Sequence, residues 1–499
     1  MATRVNIRIP VRHSAEILTW GDDERQRIAE AAVEVLNEVG MRIDGEENLK
    51  MIEQAGGGVN WETNTVHFSE EEVLATVRQL AQDSPAPEGV ELLTGQRPSG
   101  FHVGGGGVMW FDWDRWEAKV GTRQELRDLT RWAEGMEKVA GSEQFCQTQA
   151  ADLHPTLQLV DSFAIMFQHS TKPVYFNQPT EPIHVKYMRR LQPLQEARGY
   201  HQDIAAFEWV NPPLTLGDRA LKAMLARADA GVDKLGMGSM AMAGATTPVT
   251  AAGYTVMGIA EILGALAVVR RLRPQVGLQG AMAGGVVDMA TGYVSYQSPR
   301  ATVMDYLVQD VFRGVWKAHV GNYRGYRDAN EPGMQACYEW ALLNAFHRCV
   351  DGPMSSEIGG LANGNLFSPE QAVLDMEMEA ELNEMMSGFD FSEEDLGLNV
   401  IMEARHDGKA YMEHPHTLKH FRDVLPFSNW WLRGLPTAAE HDPNRSQTQR
   451  LLDQAHQICV EARQRGEEVE TNQELANEVW TVVADMAEEL GSKVPEPVY

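Results

Sequence analysis

Four groups of side chains in this 499-residue chain have the types and spacing to do chemistry. Gln178 closes the extended run Pro173 to Asn177, and Glu208 and Trp209 close a run that starts at Ile204. Tyr323, Arg324, Tyr326, Arg327 and Asp328 follow Val320-Gly321-Asn322, and Glu357 lies in the run Met354 to Ile358. Aromatic rings beside one or two carboxylates suit a permanently cationic ligand, because a quaternary ammonium donates no hydrogen bond and is held by ring faces and negative charge. The two arginines suit a carboxylate at the other end of a betaine, whose two oxygens match a planar guanidinium. Barrel packing of the tyrosines and structural ion pairs of the arginines are the competing reading.

Other constellations carry less. His414, His416 and His420 fall in one ten-residue stretch, and His416 and His420 are four residues apart. That spacing places two imidazoles on one helix face, but a zinc-protease motif needs Glu after its first histidine and this chain has Thr417. Met237, Met240 and Met242 fit core filling better than a cavity for an irregular apolar group. The four glycines Gly104 to Gly107 are followed by no lysine and lie between extended arms, so Phe101 to Asp112 reads as a hairpin rather than a phosphate loop. Cys146, Cys337, Cys349 and Cys459 are too far apart for a metal knuckle and read as buried free thiols.

These side chains need strands to hold them. From about residue 142 the sequence repeats an extended run, a loop and an amphipathic helix-length segment. Extended runs are expected at 144–150, 173–177, 204–209, 234–240, 276–282, 318–323, 354–358 and 410–413, with helices between them. Eight such units predict an α/β fold, a (β/α)8 TIM barrel, whose chemistry belongs at the C-terminal strand ends. An open doubly wound sheet would bring a dinucleotide fingerprint, and none is present. The expected division is 1–141 as an N-terminal helical cap with a β-hairpin extension, 142–435 as the barrel catalytic domain, and 436–499 as a C-terminal helical tail.

Composition narrows the partners. A formal net charge of −28, from 71 acidic against 43 basic side chains, repels phosphate backbones and argues against nucleic acid. Met1 to Glu24 is mixed and polar with no apolar core of a signal sequence, so a soluble cytoplasmic protein without membrane attachment is expected, in homo-oligomeric form.

The loop Gly244-Ala245-Thr246-Thr247-Pro248-Val249-Thr250, leading into Ala260-Glu261-Ile262-Leu263-Gly264, resembles the Gly-Ala-Thr-x-Pro-Val-Thr signature of the trimethylamine and quaternary-amine methyltransferases. The likeness extends from Glu34-Val35-Leu36-Asn37-Glu38-Val39-Gly40 through Asn211-Pro212-Pro213-Leu214 and Gln335-Ala336-Cys337-Tyr338-Glu339 to about Leu435. It implies a (β/α)8 barrel that moves a methyl group from an amine to Co(I) of a cobalamin carried by a separate small corrinoid protein. Glu413-His414-Pro415-His416-Thr417-Leu418-Lys419-His420-Phe421 is similar to a family turn-and-helix, which makes His414 and His416 candidate cofactor contacts.

The trimethylamine branch is known for pyrrolysine, and every residue here is a standard amino acid. The resemblance therefore implies a methylated onium substrate such as glycine betaine, proline betaine or carnitine. A betaine-binding barrel without catalysis, and transfer to a non-corrinoid acceptor, are the alternatives.

Overall fold

The computed structural model describes residues 3–5, 19–87, 100–104, 107–143, 145, 152–322, 326–350, 357–386, 389–408, 410–425, 428, 430–431 and 446–499. Tyr323, Arg324, Cys146 and most of the runs expected at 144–150 and 354–358 lie outside these residues.

The elements that carry the site are, in chain order, β1 (Phe101–Val103), β2 (Met109–Asp112), β3 (Glu117–Val120), α1 (Arg123–Gly135), β4 (Val139–Ser142), α2 (Gln158–His169), α3 (Pro182–Glu196), β5 (Phe207–Val210), α4 (Asp218–Asp229), β6 (Lys234–Ser239), α5 (Ala251–Leu272), β7 (Gly277–Met282), α6 (Pro299–Trp316), β8 (Val320–Asn322), α7 (Met334–Val350), β9 (Gly360–Leu361), β10 (Leu366–Phe367), α8 (Pro369–Met386), α9 (Leu398–Asp407), α10 (Pro415–Val424), α11 (Gln447–Glu467) and α12 (Gln473–Glu489). The alternation of strand and helix is that of an α/β protein. The predicted helices form within a few residues of their expected bounds, because each begins at a cap or proline and carries an apolar face.

Two pieces of parallel sheet are built. β5, β6, β7 and β8 lie side by side in the order β8-β7-β6-β5, all parallel. β1 pairs in parallel with β4, and Ser142 of β4 bridges in parallel to Val174. Within the run 173–177 that bridge is all the strand character present.

Two expectations are corrected. Phe101 does not begin a hairpin that ends at Asp112: β1 joins the parallel strands, while β2 turns back on β3 and pairs with β10. The run at 410–413 is a 3₁₀ turn, Tyr411–Glu413, entering α10, and a strand not expected from the sequence forms at Val139–Ser142. Parallel strands buried on both faces read as short apolar runs with no alternation, so their boundaries are faint in sequence.

The helices enclose these strands on one side. α5 has the length and apolarity to cross a membrane, but 78% of its apolar window is buried inside this protein. It is packed against the N-terminal helices Asp22–Glu38 and Glu70–Asp83 as well as the sheet. Two ion pairs tie the N-terminal helices down, Arg25 to Asp310 at 2.9 Å and Arg271 to Glu72. The C-terminal helices are not a free tail: α11 lies on α1 and α8, and α12 on α2 and α3.

The α1–α11 crossing depends on two glycines. A Cβ on Gly135 would sit 1.8 Å from the Ala462 carbonyl oxygen, and one on Gly466 would sit 1.8 Å from that of Arg131. Gly466→Ala is therefore expected to force the helices apart at a cost of about 1–3 kcal/mol, the usual size of overpacking. Thermal unfolding followed by far-ultraviolet circular dichroism checks this; an unchanged midpoint would show that the crossing tolerates a methyl group.

Candidate active site

The loop between β6 and α5 folds as its residue types dictate. Gly244 takes φ +88, the left-handed region open to glycine. The Thr246 hydroxyl accepts the Met242 N–H at 2.8 Å, the Gly244 N–H reaches the Thr247 carbonyl at 3.1 Å, and the Thr250 hydroxyl caps α5 through Gly253 at 3.4 Å. At the neighbouring strand end, Asp305 accepts the Gly284 N–H at 2.9 Å and the Tyr254 hydroxyl, linking the loop after β7 to α5 and α6. Short hydrogen bonds of this kind fix the loop ends against a rigid scaffold.

Successive residues of a strand face opposite sides, so each candidate either meets the helices or faces away from them. On β5, Glu208 and Val210 turn to the helix layer. The Glu208 carboxylate accepts from Arg227 of α4 at 2.9 Å and from Gln178 at 2.8 Å, and Arg227 also donates to the Pro179 carbonyl at 2.6 Å. Burial pushes the Glu208 carboxyl up, and Arg227 and Gln178 pull it back. Glu208, buried, and Gln178, half-buried, are thus joined in one hydrogen-bonded network with Arg227.

Trp209 and Phe207 lie on the other face. A Cβ on Gly236 would strike the Phe207 ring at 2.5 Å, and one on Gly238 would strike the Trp209 ring at 2.3 Å. Glycine there lets both aromatics lie flat on β6. Gln279, Ala281 and Gly321 share this face, while Met237, Gly280, Met282 and Val320 turn toward the helices. Met237, fully buried, is core.

The β1–β4 strands add a cluster that the sequence reading missed. His102 stands beside Tyr175, ring centroids 5.0 Å apart, and Gly141 lies between them, with space for a Cβ closed off by Tyr175 at 2.9 Å and His102 at 3.2 Å. Glu143 is the first residue beyond β4, and its N–H donates to the Val103 carbonyl at 2.8 Å. Solvent reaches the His102 and Glu143 side chains, yet burial pushes the Glu143 carboxyl up and the His102 imidazole down. The Glu143 charge, after burial, also raises Tyr175. His102 lies in an extended run of the sequence, but its neighbours Gly141 and Tyr175 come from distant segments that only the fold brings beside it.

Tyr326, Arg327 and Glu357 come together at the ends of β8 and β9. The Tyr326 ring lies 5.0 Å from Tyr296, and burial and then the Glu357 charge push its hydroxyl up. Arg327, fully buried, forks onto Asp375 of α8 at 2.8 and 2.7 Å and also donates to the Glu357 carbonyl at 3.2 Å. Gln371 and the Gly359 N–H complete the Asp375 shell at 2.7 Å each. Arg327 thereby braces the segment that leads into β9.

His414 and His416 sit on neither a strand nor a strand-to-helix loop of the parallel sheets. His414 caps α10 by accepting the His416 N–H at 3.1 Å and contacts Glu403 at 3.3 Å, and the His416 and His420 rings lie 4.5 Å apart. Among the described residues no group of three metal-ligating side chains is assembled.

Residues 1–428 match the family described as trimethylamine methyltransferase (MTTB). The chain belongs to this family. It is therefore a methyltransferase of corrinoid-dependent methyl transfer. It is 23% identical over 414 residues, 81% of this chain and 82% of the relative, to "Trimethylamine methyltransferase MttB" of Desulfitobacterium hafniense (strain DSM 10664 / DCB-2). Among solved structures it is similar to the Methanosarcina barkeri monomethylamine methyltransferase (MtmB), at 11% identity and a TM-score of 0.40 over 88% of this chain and 92% of that one. A hydroxylamine complex of MtmB gives 11% and 0.39 over 90% and 94%.

Arg327→Ala strands the Asp375 carboxylate in the interior, which costs about 3–5 kcal/mol for a buried pair broken on one side. The melting temperature of the ligand-free protein is expected to fall sharply. A variant that melts as the parent does but loses affinity for betaines would return Arg327 to the substrate.

Proposed function

We propose that this methyltransferase takes its methyl group from a quaternary ammonium compound of the betaine class, bound inside a closed (β/α)8 barrel between Glu143 and the Trp209 ring. The carrying observation is Glu143, an exposed carboxylate one residue beyond β4 whose carboxyl is pushed up by the protein packed about it and whose charge acts on Tyr175. Closure is supported by the two parallel sheets, whose strands follow one another in chain order. It puts His102, Glu143 and Tyr175 across a common interior from Phe207, Trp209 and Gln279.

The charges suit an onium. Burial keeps His102 neutral at pH 7, so the Glu143 carboxylate carries the local charge and the rings of Tyr175 and Trp209 supply the faces that a quaternary ammonium needs. Gly236, Gly238, Ala281 and Gly321 leave room above the strands. Tyr326 and Glu357 stand at a neighbouring strand end. Arg324, which follows β8 in the sequence and lies outside the described residues, is the proposed partner of the substrate carboxylate, since the Arg327 fork is taken by Asp375.

The co-substrate is the cobalamin of a separate corrinoid protein, which supplies a Co(I) nucleophile. The C–N bond breaks with its electron pair on nitrogen, so a neutral tertiary amine leaves and no proton is required. The work left to this chain is to bind, orient and desolvate the methyl donor. Absence of pyrrolysine supports a quaternary rather than a tertiary amine, because the quaternary nitrogen already carries the charge that makes the amine leave. A homo-oligomeric, cytoplasmic enzyme is part of the same proposal, supported by the free thiols of Cys337 and Cys459.

Adding glycine betaine, proline betaine, carnitine or trimethylamine to the enzyme and free cob(I)alamin, and following the visible spectrum, tests the reaction; methylation from trimethylamine alone would overturn the substrate assignment. Titration calorimetry tests the site. Glu143→Gln and Trp209→Ala are each expected to weaken betaine and tetramethylammonium by tenfold or more, about 1.4 kcal/mol or above.

Because the free-enzyme Glu143 carboxyl is raised and the cation prefers its ionised form, affinity is expected to rise with pH through that raised value. The Gln variant should give a flat profile. A parent enzyme whose affinity is independent of pH from 5 to 8 would remove Glu143 from the onium.

A further inference from the structure

A cleft with a cavity volume of about 170 Å³ lies where β2, α1, the start of α8 and α11 meet. A cavity of about 150 Å³ already admits a molecule the size of benzene. None of the side chains proposed to hold the methyl donor lines this cleft. One of its walls, α11, comes from a segment beyond the residues 1–428 that match the family.

Two kinds of side chain are concentrated in the cleft. Four of its fifteen lining residues are Trp or Phe, over a quarter, where aromatic residues make up 8% of the chain. Five are Asp or Glu, a third, where the whole chain has 71 among 499, a seventh. The local acidity therefore exceeds what the overall charge would bring. Arg463 is the one Lys or Arg among the lining residues, and it is engaged by Asp128 at 2.5 Å.

The rings are held in place before any ligand arrives. Trp113, in the turn after β2, lies flat against the His456 imidazole of α11, with centroids 4.5 Å and planes 9° apart. The His456 Nδ1–H donates at 2.9 Å to Glu370, a buried carboxylate in the first turn of α8 that also accepts from Ser368 at 3.1 Å. Trp132 of α1, buried, is seated against Phe367 and Phe145, at 5.7 and 6.1 Å between centroids. Side chains fixed in this way lose little freedom on binding.

The carboxylates are unevenly answered. Asp112 pairs with Arg115 and Lys119, and Asp128 with Arg127 and Arg463. Glu125, half-buried, turns to Thr122 in the capping box that starts α1, and Asp114, exposed, makes no ion pair among the described residues. Ring faces beside negative charge that lacks a counter-ion attract an organic cation. A carboxylate or phosphate meets only repulsion, since the guanidinium present is already paired.

We propose that this cleft is a second binding site, for a small alkylammonium cation that carries no carboxylate, held between the rings of Trp110 and Trp113 and the charges of Asp114 and Glu125. It differs from the betaine site in rejecting an anionic end. The proposal does not rest on the role given to Glu143.

Titration calorimetry of the full-length enzyme with tetramethylammonium and with glycine betaine tests it. In the Glu143→Gln background a tetramethylammonium binding event is expected to remain, with no counterpart for glycine betaine. Adding Asp114→Lys, which places the new charge at an exposed position, or Trp113→Leu, which keeps apolar bulk without the ring, is expected to weaken that event by tenfold or more with an unchanged circular dichroism spectrum. No tetramethylammonium binding in the Glu143→Gln background, binding there that is indifferent to both substitutions, or glycine betaine bound there as tightly and lost with the same substitutions would overturn the proposal. If Glu143→Gln alone changes the binding of neither ligand while Asp114→Lys and Trp113→Leu still weaken tetramethylammonium, the reading of Glu143 falls and the cleft stands.

Discussion

The two-residue alternation of a parallel strand under a layer of helices governs this protein. Every second side chain is pressed against a helix and must be apolar or fully paired, and only the others are free to meet a ligand. One step along β5 separates Glu208, locked to Arg227 beneath α4, from Trp209, whose ring lies over Gly238 on the opposite face. Two residues of the same strand, both plausible ligand contacts, thus receive different work from the pleat.

The helix-facing side is where this chain spends its buried charge. Glu208 with Arg227, Arg327 with Asp375, and Glu261 held by Ser239 at 2.5 Å and the Leu214 N–H at 2.9 Å are removed from water, and each carboxylate is hydrogen-bonded. Such pairs add little net stability compared with apolar packing. They are directional, though, and each joins a strand end to a helix or loop: Gln178 to β5, the β9 loop to α8, the loop after β5 to α5. The strand ends and loops are thereby fixed to the helices by hydrogen-bonded charge.

That arrangement suits a reaction in which the leaving group needs no proton and the nucleophile comes from a partner. The inner face then needs no catalytic acid, and the small residues Gly236, Gly238, Ala281 and Gly321 leave space rather than chemistry. Glu143, raised by burial, and the neutral His102 give the proposed site one tunable negative charge.

The sequence by itself determined the α/β class, nearly every helix from Gln158 onward, the loop from Gly244 to Thr250 and the family, because caps, prolines, glycines and helical periodicity are local signals. It also marked Trp209, Tyr326 and Glu357 as strand-end residues. The partners of Glu208 and Arg227, 19 residues apart, and of Arg327 and Asp375, 48 apart, were decided by tertiary structure alone, since no local pattern says which acid a buried arginine will meet. Glu143 escaped for the same reason: its meaning lies in His102 and Tyr175 on neighbouring strands, and a parallel sheet assembles neighbours from segments that the chain keeps tens of residues apart.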